Sequence, residues 1–396
     1  MIANPGYTVR QGRLLFLLVC SMAPLPGCAC FTWSKAEAKR QGPHPILAAA
    51  RANRINMFGD LGIEREAGYF TRSAVSLRQH TFSEVGTDND VDLDPTSGRM
   101  VFSSTRHNLN PDLYIKSVDG VAVTQLTSDP ASDVQPEFSP DGSKVAFASN
   151  RGGQWGVWII DVNGGQPARL TESTAEEAHP SWSPDGSELV FCSLPEQGGQ
   201  WELWIADARA GGSRRFIGYG LFPEWSPNGA QILYQRARER GSRWFSIWTM
   251  QLVNGEPRYP TEMASNSHSA LTLPTWSPDG GSIAFSSITE WPSDISDQTG
   301  ISKTYDVWVM NADGRRKVRL TDGYTLNYAP GFSADGRVYF TSNRSGHENI
   351  WSLMPTGQGT EPWNPDSLTE RAPQTTQAPG FHDELAARPA AVREGF

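Results

Sequence analysis

One phrase recurs along the chain. It reads Pro-Glu-Phe-Ser-Pro-Asp-Gly at 136–142, Pro-Ser-Trp-Ser-Pro-Asp-Gly at 180–186, Pro-Glu-Trp-Ser-Pro-Asn-Gly at 223–229, Pro-Thr-Trp-Ser-Pro-Asp-Gly at 274–280 and Pro-Gly-Phe-Ser-Ala-Asp-Gly at 330–336. A weaker copy, Val-Asp-Leu-Asp-Pro-Thr-Ser-Gly, occupies 91–98. The opening prolines stand 44, 43, 51 and 56 residues apart. A β-rich unit with a period in the forties is the mark of a β-propeller, each unit forming one blade. The expected fold is all-β, a six-bladed β-propeller with four-stranded blades.

Each unit has the same grammar. The Phe or Trp of the phrase lies in an inner strand, a. Pro-Asp-Gly makes a turn: proline presets φ, aspartate bonds back to the backbone, and glycine takes the positive-φ position. Strand b centres on an aromatic (Phe102, Phe147, Phe191, Tyr234, Phe285, Phe340), and strand c carries another (Tyr114, Trp158, Trp204, Trp248, Trp308, Trp351). Strand d ends in Leu-Thr in several units, at 126–127, 170–171 and 320–321. The strands read as short apolar runs, as expected where both faces are covered. The aromatics are therefore assigned to packing between blades.

The chain divides into an export segment (1–28), a lead-in with a short helix (29–72), the propeller (73–369) and a disordered tail (370–396). Arg10 and Arg13 precede the apolar run Leu14–Ala23, which is too short to span a bilayer. Leu25-Pro26-Gly27-Cys28 resembles a bacterial lipobox, making Cys28 the expected lipidation site. Four cysteines without zinc-type spacing make neither a disulfide framework nor a metal cluster. The net charge of −9 and the lack of a long basic block argue against nucleic acid as a partner.

The units resemble those of the TolB-type β-propeller family. The resemblance rests on the Pro-x-Trp-Ser-Pro-Asp-Gly phrase, the aromatic strand b, the closing Leu-Thr, and the Ser-Asn-Arg-x-Gly hairpin, matched at Ser149–Gly153 and Ser342–Gly346. It implies an exported, periplasmic or outer-membrane-associated protein that binds an envelope protein or peptide at the propeller mouth. The stretch between Cys28 and the first repeat is shorter than the α/β domain that precedes the propeller in TolB. Similar repeats occur beside prolyl-oligopeptidase-type hydrolases, but no Gly-x-Ser-x-Gly elbow is present here.

Strand alternation puts the tight a–b and c–d turns on one face and the variable b–c hairpins and d–a connections on the other. Function is expected on the variable face, which also carries the longest insertion, 289–304. The residues before each phrase are expected to ring the channel mouth: Asp133, Gln135, Glu177, His179, Leu221, Phe222, Thr272, Leu273, Asn327 and Tyr328, with 88–90 as their blade 1 counterparts. An acidic side facing an apolar one suits a protein or peptide partner, bound by a monomer anchored to the membrane through lipid. No cofactor is expected, although the carboxylates could hold Ca²⁺. The alternative is a metal-dependent carbohydrate-active lyase or hydrolase, like the propeller oligogalacturonate lyases. It would use those carboxylates with His107, His179, His268 and His347. The ring is expected to close by pairing 73–81 with strand c of blade 6 near 349–353, in competition with Ser367–Thr369.

Overall fold

The computed structural model describes residues 74–237, 245–266, 269–292, 301–321 and 325–355. Cys28, the export segment, the lead-in, Ser367–Thr369, the tail, His268 and the centre of the blade 5 insertion lie outside them.

Among the described residues, 24 strands form six four-stranded antiparallel sheets. From inside outward, blade 1 holds β2 (Asp88–Leu93), β3 (Arg99–Ser104), β4 (Asp112–Ser117) and β5 (Val123–Gln125). Blade 2 holds β6 (Asp133–Phe138), β7 (Lys144–Ser149), β8 (Gly156–Asp161) and β9 (Ala168–Arg169). Blade 3 holds β10 (Glu176–Trp182), β11 (Glu188–Leu194), β12 (Glu202–Asp207) and β13 (Arg214–Tyr219). Blade 4 holds β14 (Leu221–Trp225), β15 (Gln231–Ala237), β16 (Phe245–Val253) and β17 (Glu256–Ala264). Blade 5 holds β18 (Ser269–Trp276), β19 (Ser282–Pro292), β20 (Ile301–Asn311) and β21 (Val318–Arg319). Blade 6 holds β22 (Asn327–Phe332), β23 (Val338–Ser342) and β24 (Asn349–Pro355), and its outer strand is β1 (Ala74–Gln79) from the start of the described chain.

Ring closure follows the expected route. β1 runs antiparallel to β24, with Ala74 opposite Pro355 and Gln79 opposite Trp351. The contacts copy the Leu-Thr endings elsewhere. Thr81 Oγ1 accepts the Ile350 N–H at 2.9 Å, as Thr127 accepts Leu113 (2.9 Å) and Thr321 accepts Val307 (3.0 Å). The His80 N–H donates to Ile350 O at 2.9 Å, as Leu170 donates to Val157 at 2.9 Å. His80 thus stands where other blades place leucine. Its ring is buried, with Nε2 2.8 Å from Ser352 Oγ and Nδ1 3.2 Å from Val118 O. Lys116 Nζ donates to its carbonyl at 2.7 Å.

The turns follow the same physics. In blade 2, Asp141 Oδ1 accepts from Ser139 Oγ (2.6 Å) and the Ser143 N–H (3.0 Å), and Gly142 sits at φ 68°. In blade 4, Asn228 makes the equivalent bonds with a neutral amide, so the turn needs the acceptor and not the charge.

The core lies between blades. The strand b aromatics are almost fully buried, and β7 is buried throughout except for Lys144. Strand c is less sealed than strand b. Tyr114 is buried, but Trp158, Trp204, Trp248, Trp308 and Trp351 are half-buried. An arginine covers several of these rings: Arg214 lies 4.7 Å from the centroid of Trp204, Arg151 5.3 Å from Trp158 and Arg344 5.2 Å from Trp351. Such stacking keeps the cation wet while shielding the ring.

Two expectations follow. Phe191→Ala should cost about 3–5 kcal/mol and Trp204→Ala clearly less, read by chemical unfolding, because only the first leaves a sealed cavity. The second concerns His80. Burial is the main cause that holds its pKa down at about 4, below the ordinary 6.5. As pH falls from about 6.5 to 4 the unfolded chain takes up a proton that the folded ring refuses, so this contribution to stability is lost on acidification. His80→Leu should fold and remove that share of the acid sensitivity; an unchanged pH profile would disprove it.

Candidate functional site: the central channel

Every a–b pair slips register at the same place, as between Val134 and Glu137 in blade 2. At the slip, one residue per blade takes a left-handed backbone: Asp90, Gln135, His179, Phe222, Leu273 and Ala329, all with φ between 50° and 55°. A non-glycine residue there costs of order 1 kcal/mol or more and persists only where its surroundings enforce it. Here the preceding blade enforces it. The His179 N–H donates to Gln135 Oε1 at 3.0 Å, Gln135 N–H to Asp90 Oδ2 at 3.4 Å, Leu273 N–H to Gln235 Oε1 at 3.3 Å and Ala329 N–H to Ser286 Oγ at 3.1 Å. In five blades the next residue is the proline of the phrase, which has no N–H to leave unpaired in the bulge.

Two rings of side chains therefore line the channel. One is the bulge ring just named. The other comes from the second residue of each phrase: Asp92, Glu137, Ser181, Glu224, Thr275 and Gly331. Four of these accept a backbone N–H from the next blade. Asp92 Oδ2 accepts the Phe138 N–H at 2.7 Å, Glu137 Oε1 accepts Trp182 N–H at 2.9 Å, Ser181 Oγ accepts Trp225 N–H at 3.2 Å and Glu224 Oε1 accepts Trp276 N–H at 2.9 Å. Residues of both rings enclose a cavity of about 180 Å³, and none of its lining residues is Lys or Arg.

The channel is thus an acidic, weakly solvated space. Burial is the chief cause that pushes Asp90 up to about 6, Asp92 to about 7 and Glu224 to about 8, and it raises Glu137 well above the carboxylate range. Asp92 and Glu224 add repulsion to Glu137. His179 goes the other way: burial lowers it to about 3, so the imidazole is neutral. Its Nε2 is buried without a hydrogen-bond partner, and its ring meets Phe222 edge-on at 3.9 Å between centroids.

The expected rim residues fall into separate groups. Gln135, His179, Phe222 and Leu273 do line the channel. Asp133, Glu177 and Asn327 are fully buried at the head of strand a, inside the blades rather than on the rim. Arg151 pairs with Asp133 at 2.6 Å and Arg214 with Glu177 at 3.1 Å, while Arg344 donates to Asn327 Oδ1 at 2.7 Å. In blade 1, Arg106 holds Asp88 at 2.9 Å. The Ser-x-Arg hairpins thus serve the anchors of blades 1, 2 and 6, and the outer strand β13 serves that of blade 3. Leu221 and Thr272 are buried. Tyr328 joins blade 6 to blade 1, its hydroxyl donating to Asn89 Oδ1 at 2.6 Å. His107 and His347 are exposed and far from His179 in the fold's order, and among the described residues no group of three or more His, Cys, Asp or Glu could hold a metal ion. The motif reading missed Asp92, Glu137, Glu224 and Ala329 as channel residues. For the three carboxylates the signal was the most variable position of the phrase, its second residue.

A pH expectation follows from the raised carboxyls. Between about pH 4 and pH 8 the folded state binds more protons than the unfolded chain, so stability from this source falls as pH rises through that window. Glu224→Gln keeps an acceptor for Trp276 and should be more stable than the parent at pH 8, by on the order of 1–3 kcal/mol, and equal to it near pH 4. Unfolding curves at the two pH values check this; a variant less stable at pH 8 would contradict it.

Comparison with known proteins agrees with this geometry. Residues 76–251 match the TolB beta propeller domain family model. An uncharacterized protein of Agrobacterium fabrum is 30% identical over 118 residues, which are 29% of this chain and 34% of that one. A TolB homolog of Chlorobium luteolum is 36% identical over 74 residues, 18% of this chain and 17% of its own length. The chain therefore spans about a third or less of these curated relatives. Among solved structures, a putative TolB from Agrobacterium tumefaciens superposes with TM-score 0.53 at 19% identity, covering 72% of this chain and 99% of that one. TolB from Acinetobacter baumannii gives TM-score 0.50 at 20% identity over 70% and 65% of the two chains. Those identities speak to the fold. Repeat phrase, blade order and the match over residues 76–251 make the propeller similar to the TolB beta propeller domain family.

Proposed function

We propose that this chain is a non-enzymatic binding module of the cell envelope, anchored through Cys28, whose propeller receives a protein or peptide segment at the mouth of its central channel. The observation that carries this reading is the bulge ring. Six strained residues present a mixed wall, with Phe222 and Leu273 beside Gln135, His179 and Asp90. Strain enforced by neighbours is characteristic of sites that must keep one shape, and a rigid wall with apolar anchors and a polar border suits a macromolecular segment. The TolB-named relatives support the same reading, as does the export-like segment ahead of the propeller.

Binding should centre on the aromatic anchor. Phe222→Ala should weaken a captured envelope partner by about 2 kcal/mol. Pro184→Ala, in an exposed turn of the opposite face, should change nothing. Partners would be found by cross-linking in envelope preparations from a photoreactive residue at Leu273 and compared across both variants. Equal loss from both faces would defeat the reading, as would polysaccharide turnover abolished by His179→Ala. Separately, Cys28→Ser should move the mature chain from the membrane to the soluble fraction, because the several acyl chains of a bacterial lipoprotein anchor firmly.

A further inference from the structure

The chemistry of the channel goes further than its position. The wall carries Asp90, Asp92, Glu137 and Glu224 with no cationic side chain among the lining residues. His179 lines the same space, with a neutral ring and an Nε2 that is buried without a hydrogen-bond partner. The cavity, about 180 Å³, is smaller than the roughly 300–1,000 Å³ of small-molecule sites and suits one side chain. A bare metal ion needs three or more ligands converging on one point, and among the described residues no such group exists. Acceptors that are spread around a wall suit an extended donor. An ammonium offers three N–H donors and a guanidinium five, in directions that can reach separate carboxylates.

We propose that the segment received at the channel carries a cationic side chain, lysine or arginine, whose head group lies among Asp92, Glu137 and Glu224. This rests on the channel-mouth reading above and specifies the chemistry of the partner. Charge pairing inside a narrow space offsets the desolvation of both sides, which neither an apolar nor an anionic head group would do. Phe222 and Leu273 then flank the aliphatic stem, as long basic side chains require.

The test uses the full chain, immobilised, and four pooled libraries of capped octapeptides. All are randomised except for a central lysine, arginine, norleucine or glutamate. The lysine and arginine pools should be retained over the other two by about tenfold, equivalent to about 1.4 kcal/mol. In Glu137→Gln/Glu224→Gln that preference should vanish. Glutamine keeps the acceptors for Trp182 and Trp276, and a thermal melt confirms folding. Phe222→Ala should lower the retention of all pools alike. Retention that ignores the central residue yet still depends on Phe222 would overturn the cationic proposal and leave the channel reading intact. A basic preference that survives the double variant would assign it to the acidic surface at large and also overturn the proposal. So would calcium chloride stabilising the parent but not the double variant when no basic preference is seen. Retention insensitive to Phe222, or none from any pool, would remove both.

Discussion

The structure depends on hydrogen bonds between the inner strands of neighbouring blades. A propeller has no hydrogen-bonded sheet running around its ring, so the blades could be held by apolar contact alone, which is non-directional. In four blades the second residue of the phrase accepts the backbone N–H of the aromatic in the following blade, at 2.7 Å from Asp92 to Phe138 and 2.9 Å from Glu137 to Trp182. That bond fixes the rotation of each blade against its neighbour. It also demands a strand a that is bulged, so that its side chain reaches sideways. The left-handed residue and the proline after it are the local means to that end. Bulge, proline and blade-to-blade bond occur together in blades 2, 3 and 4.

The candidate site is a by-product of the same device. A residue that reaches the next blade must lie on the channel wall, because strand a is the innermost strand. Where it is a carboxylate, the wall becomes acidic and the burial that stabilises the blade contact destabilises the charge. A serine hydroxyl serves at Ser181, accepting the Trp225 N–H at 3.2 Å, so the contact does not require acid at every place. Acid at Asp92, Glu137 and Glu224 therefore costs stability near neutral pH that a hydroxyl would not. A group that is expensive and structurally replaceable points to a use beyond packing.

The outer part of the molecule shows the reverse. Its many charges are absorbed by structure. Arg106, Arg151 and Arg344 each bridge a buried residue at the head of strand a and stack on the aromatics of strands b and c. Removing one such arginine would strand a buried acceptor, which is costlier than the pair is favourable. His80 and Lys116 play a similar part at the seam, where chain ends separated by more than 260 residues must meet.

By itself the sequence determined the fold, the turn chemistry and the closing strand. These depend on local spacing: the repeat period, the Pro-Asp-Gly order, and Gln79-His80-Thr81 standing where another blade has Arg169-Leu170-Thr171. Counting along the chain also brought Gln135, His179, Phe222 and Leu273 to the channel. It could not separate them from Asp133, Glu177 and Asn327, which lie two places away or less from channel residues. A single bulge shifts register by one, and in a strand one residue decides between wall and blade interior. Only the tertiary structure decided that split, since the bulge is enforced by side chains of a different blade. Only the closed ring brought Asp92, Glu137 and Glu224 around one space and buried them, because their mutual approach is set by the curvature of six blades and not by any distance along the chain.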